Sequence, residues 1–142
     1  MFLREPLSGI ELYLHFAEKS NEEYMKIQEA IMAFSQSEKI KSGLIWVSQT
    51  LELASALPLP EKQGAERVIK ALMDMIIHEI RLAKSIFGYG PWGEIEESID
   101  KAIVMINSGV GTESVVHLTK SLSLVTTIGH RSMSFMKEEG LI

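Results

Sequence analysis

The chain contains no cysteine, so disulfide bonds and thiolate metal sites are both excluded. Basic residues are sparse: 14 Lys and Arg stand against 19 Asp and Glu, for a net charge of -5, and no three of them cluster. Affinity for a phosphate backbone comes mainly from clustered Lys and Arg, so direct nucleic-acid binding is disfavoured. Long apolar runs are missing too. Runs such as Ala102 to Ile106 and Leu44 to Val47 fall far short of the ~20 residues that cross a bilayer. The first residues, Met1-Phe2-Leu3-Arg4-Glu5-Pro6, have no charged lead followed by an apolar stretch and no small-residue cleavage site, which makes the cytoplasm the expected location. Strand-like alternation, low-complexity tracts and internal repeats are also lacking.

What is present is helical periodicity. Ile10, Tyr13, Ala17, Ser20, Tyr24, Ile27, Ile31 and Phe34 recur at intervals of three and four, one face of a long helix, opened by a Ser8/Glu11 capping box. The opposite stripe, Glu11, His15, Glu18, Glu22 and Glu29, is polar. A second box, Ser35 with Glu38, predicts a new helix on Ile40, Leu44, Val47, Leu51 and Ala54, ended by Pro58 and Pro60. A third helix carries two adjacent apolar stripes, Ile69, Leu72, Ile76, Ile80, Ala83 and, beside it, Val68, Met75, Leu82, Ile86, which predicts a central position. Glycines and Pro91 separate it from a fourth on Ile95, Ile99, Ala102 and Ile106. Ser108-Gly109-Val110-Gly111 precede a fifth, capped by Thr112 and built on Val115, Leu118, Leu122 and Val125. The expectation is an all-α, single-domain bundle over 1–142, with about five helices at 8–35, 38–57, 61–87, 92–107 and 113–138.

Apolar residues make up 46% of the chain, and its mean hydropathy is +0.10. That is slightly more apolar surface than one core hides, and such a surplus often ends in a subunit interface, so a homo-oligomer is expected. The functional expectation is a non-enzymatic bundle acting through protein–protein interaction, as an adaptor or assembly subunit. The interface or ligand candidates are Tyr89 and Trp92 in the aromatic turn, and Gly129, His130 and Arg131 in the hydroxyl-rich last helix, which is the first choice for a subunit seam. The histidines are expected mostly outside; if one is buried, it is His130, which alone lacks an acid four residues earlier.

Two motifs point to histidine phosphotransfer as the alternative. His78-Glu79-Ile80-Arg81 resembles the H-box of sensor histidine kinases, with Leu82 and Ala83 where that family has Thr or Asn and then Pro. His117-Leu118-Thr119-Lys120-Ser121 is similar to the histidine-phosphotransfer motif, in which the lysine steadies the phosphoryl group; Thr119 stands where that family has leucine. The resemblance implies a nucleophilic His117 with Lys120, or His78 with Arg81.

A metal-binding bundle is the third reading, because Glu11/His15, Asp74/His78 and Glu113/His117 each place an acid and an imidazole on one helical face. All three pairs fall on polar stripes, where such spacing supports an exposed helix, so no metal ligand and no cofactor is assigned. Glu94, Glu97 and Asp100 resemble the carboxylates of all-α nucleotide pyrophosphohydrolases of the MazG kind. That family needs a second acidic pair on a facing helix, for which Glu18 and Glu22 are the nearest residues.

Overall fold

The structure, a computed structural model, describes residues 6, 8–88 and 90–142, and the side chains of all of these except 19–25. It consists of four α-helices, α1 (Gly9–Ser55), α2 (Leu59–Phe87), α3 (Gly90–Asn107) and α4 (Val115–Glu138), with a 3-10 turn at Gly111–Ser114 before the last. No strand occurs among the described residues. The all-α bundle read from the sequence is the observed fold. α1 packs on α2, α2 on α3, α3 on α4, and α4 closes the ring against α1, while the diagonal pairs do not pack together among the described residues. α2 is therefore one corner of an up-down-up-down bundle rather than its centre.

The two helices expected at 8–35 and 38–57 are one helix of 47 residues. Ser35 and Glu38 match a capping box in sequence, but the backbone stays helical through them. Neither Gly nor Pro stands between Phe34 and Glu38 to break it, and the Ser37 hydroxyl donates back to the Phe34 carbonyl at 2.8 Å, as hydroxyls do inside a helix. The box at Ser8 does form: Ser8 Oγ accepts from the Glu11 N–H at 3.3 Å, and the Glu11 carboxylate accepts from the Ser8 N–H at 3.0 Å. α1 stops where Pro58 and Pro60 forbid continuation, and Pro60 falls in the first turn of α2, where a missing N–H costs nothing. Thr112 does not cap α4. The helix emerges from the 3-10 turn with Ser114 at its N-cap, and Ser114 donates its hydroxyl to the Gly111 carbonyl.

The core is built from Ile40, Leu44, Val47, Leu51 and Ala54 of α1 against Ile69, Met73, Ile76, Ile77 and Ile80 of α2, Ile95, Ile99 and Ala102 of α3, and Leu118 and Val125 of α4. Of the two stripes on α2, the first is inside except at Leu72, which is exposed together with Val68, Met75, Leu82 and Ile86 of the second. α4 approaches α1 closely, where a Cβ on Gly129 would lie 3.1 Å from Ser37 Oγ. Both residues are buried, as are Ser121 and Ser132 on the same face of α4. Ser121, Gly129 and Ser132 thus serve a close crossing within the chain, while Thr119, Ser123, Thr127 and Ser134 stay on the outer face of α4.

Truncating Leu44, which is wholly buried, to Ala is expected to cost about 2–5 kcal/mol in urea unfolding. The same change at Leu53, 72% exposed, should stay within about 0.5 kcal/mol.

Candidate functional site: an apolar arm and the groove at its foot

A 47-residue α-helix is about 70 Å long, whereas the 24 residues of α4 cover about 36 Å. α1 therefore overshoots the bundle. Its first buried side chain among the described residues is Ala30, and every described residue from 9 to 18 is exposed. The overshoot carries large apolar groups: Ile10 is 76% exposed and Tyr13 72%, with Leu12, Leu14 and Phe16 also open to solvent. The strongest repeat in the sequence, Ile10 to Phe34, is therefore not a core stripe. Ile10, Tyr13, Ala17 and Ile31 are exposed, Ile27 and Phe34 are half-buried, and the side chains of Ser20 and Tyr24 lie outside the described residues. Intervals of three and four, averaging 3.5, are those of a coiled-coil seam, which wants another helix rather than a globular core.

At the foot of this arm α1 and α4 border a groove of about 330 Å³. Phe34, Glu38 and Lys41 form its α1 wall, and Thr126, Gly129, His130 and Met133 its α4 wall. Gly129 is buried in the crossing, and His130, the first candidate for a buried histidine, is exposed. Helical register decides this: Ile128, Gly129 and Ser132 take the inner face of α4 and leave His130 on the outer one. Around the end of the bundle, Trp92 and Arg131 line a second groove together with Ala30, Ala33 and Phe135. Trp92 is buried and stacks on Phe87 with ring centroids 6.0 Å apart, so it closes its own bundle. Tyr89 lies outside the described residues.

Two carboxylates fix the register of the helices on which the arm is mounted. Glu79 of α2 accepts from Lys39 Nζ at 2.7 Å and from Gln36 Nε2 at 2.7 Å, both on α1. The Gln36 amide also donates to the Glu79 carbonyl at 3.0 Å. Glu96 of α3 lies 2.7 Å from Lys84 Nζ and 3.5 Å from Arg81 Nε, both on α2. The hydrogen bond from Lys39, and then that from Gln36, holds the Glu79 carboxyl below the usual carboxylate range. Lys84 does the same for Glu96 against the opposing effect of burial, with help from Arg81.

These pairs decide where the phosphotransfer candidates stand. His78 is exposed on α2, but Glu79 beside it is turned onto α1, and Arg81 lies against Glu96. His117, half-buried, and Lys120, exposed, lie one turn apart on α4. Among the described residues no three His, Asp or Glu side chains are placed to hold a metal ion. Glu94, Glu97 and Asp100 are exposed on α3, while Glu18 sits on the overhanging arm of α1, a helix that does not pack on α3 among the described residues; the side chain of Glu22 lies outside the described residues. Among the described residues no helix is long and apolar enough to cross a membrane.

A further groove, of about 300 Å³ and not anticipated from the sequence, lies on the outer side of the α1–α2 hairpin, where Leu53, Val68 and Leu72 stand exposed around Ala54 and Ile69. The signal was available in the second stripe of α2, which one corner helix cannot bury along with the first. No family model matches the chain, and neither the curated proteins nor the solved structures contain a match to it.

Glu79 and Glu96 are more acidic in the folded protein than in the unfolded chain, so the unfolded state binds more protons as the medium is acidified. Their stabilisation is complete above the ordinary carboxylate value of 4.5 and is lost as pH falls through the lowered folded values. Thermal unfolding followed by circular dichroism should show a melting temperature that declines below that pH, and an E79Q/E96Q double variant should show a shallower decline.

Proposed function

We propose that the protein works by binding protein chains, as a self-associating assembly or adaptor subunit acting in the cytoplasm, and not by catalysis. The observation that carries this reading is the unpartnered repeat on α1: a seam spaced for a coiled coil, exposed from Ile10 to Ala17 and again at Ile31. A helix with apolar groups on most of its faces is stable in water only when something covers them, and large exposed apolar patches on folded proteins mark interaction sites. The polar stripe behind the seam supports the same reading. Glu11, His15, Glu18 and Glu29 lie where a paired helix meets water.

Charge argues for a protein partner over a lipid surface. Residues 9–29 hold five glutamates (Glu11, Glu18, Glu22, Glu23, Glu29) and two lysines (Lys19, Lys26), an acidic balance that an anionic bilayer repels.

Light scattering in line with gel filtration tests the proposal. The expected mass is a multiple of 15.9 kDa, and L14E, which puts a charge into the arm without touching the core, should weaken association at least about tenfold. A mass of 15.9 kDa persisting at high protein concentration overturns self-association.

A further inference from the structure

The seam and the groove at its foot lie on one line. Continuing the three-and-four spacing past Phe34 reaches Glu38 and then Lys41, which are the α1 wall of the groove against α4. A helix that follows the seam away from the arm's tip is led into that groove. We infer that two copies pair antiparallel through this seam, the tip of each arm seated in the α1/α4 groove of the other; the inference rests on the self-association proposed above.

Three observations favour this occupant. The seam is self-complementary when reversed: it runs from Ile10 to Phe34, so antiparallel pairing sets Ile10 of one copy beside Phe34 of the other, and Tyr13 beside Ile31. A parallel pair instead sets tip against tip, brings both bundles to the same end and leaves both grooves open.

The chemistry of the tip fits the groove. With Ile10 set beside Phe34, the apolar side chain at the end of the seam meets the apolar surface of Phe34 and Met133 at the near end of the groove.

The area is of the right order. Burying one apolar side chain removes on the order of 100 Å² from water, so Ile10, Tyr13, Leu14, Phe16 and Ile31, on or beside the seam, offer about 500 Å² per copy, to which the groove wall of Phe34 and Met133 adds. A standard stable interface takes about 800 Å² per partner.

The absence of native cysteine makes a crosslinking test clean. I10C and H130C change exposed residues and should not disturb folding. Within one chain the arm keeps these positions apart, since Ile10 lies 24 residues from Phe34 along a continuous helix, about 36 Å. An equimolar mixture of the two variants, treated with a short bis-maleimide, is expected to give a covalent dimer between unlike copies, and I10C alone none. Adding Y13E to the I10C chain should abolish the product. Crosslinking of I10C to itself, in protein that scatters as a dimer, overturns the antiparallel arrangement and leaves the proposed self-association standing. A scattering mass of one chain overturns both. Co-sedimentation of the monomer with phosphatidylcholine vesicles, with no crosslink, overturns the pairing in favour of a lipid surface.

Discussion

Everything distinctive about this molecule follows from a helix that nothing stops. Between Gly9 and Ser55 the chain offers no proline, and its one internal glycine, Gly43, stays helical, so the hydrogen-bond ladder runs unbroken until Pro58 and Pro60 forbid it. The other three helices are shorter, and the packing of α2 and α4 on α1 consumes only its C-terminal half. The overhang, its exposed apolar seam and the groove where it meets α4 are consequences of that mismatch in length.

The close crossing of α4 on α1 gives the overhang a firm base. Gly129 against Ser37 lets the two backbones approach, and the neighbouring serines keep that approach uniform along the face. Ser121 and Ser37 carry their hydrogen bonds within their own helices, to the His117 carbonyl at 2.9 Å and the Phe34 carbonyl at 2.8 Å, so close packing leaves them satisfied. Glu79 then ties α2 to α1, and Glu96 ties α3 to α2. These partly exposed pairs add little cohesion, but their geometry selects one register among the sliding alternatives that smooth apolar faces allow.

The fold class was legible because periodicity is a property of the backbone, and Ile69, Ile76, Ile80 and Ala83, or Ile95, Ile99 and Ala102, state it without ambiguity. The division of α1 was misread because a capping box is a local pattern. Ser35 and Glu38 satisfy it in letters, yet an N-cap needs extended dihedrals that nothing there enforces. The destination of the first repeat was equally invisible. Periodicity shows that Ile10 and Tyr13 share a face with Ile27 and Phe34; whether another helix covers that face depends on the lengths of α2 and α4. His130 illustrates the finer limit, since its position one residue from Gly129 suits a buried site as well as an exposed one until the rotation of α4 is known.

The continuity of α1 also makes it a lever. With its fulcrum near Ala30 and an overhang of about 30 Å, a tilt of roughly 5° at the bundle sweeps the tip through about 3 Å. Repacking of that size inside the bundle would thus be read out, undamped by any hinge, at the far end of the rod.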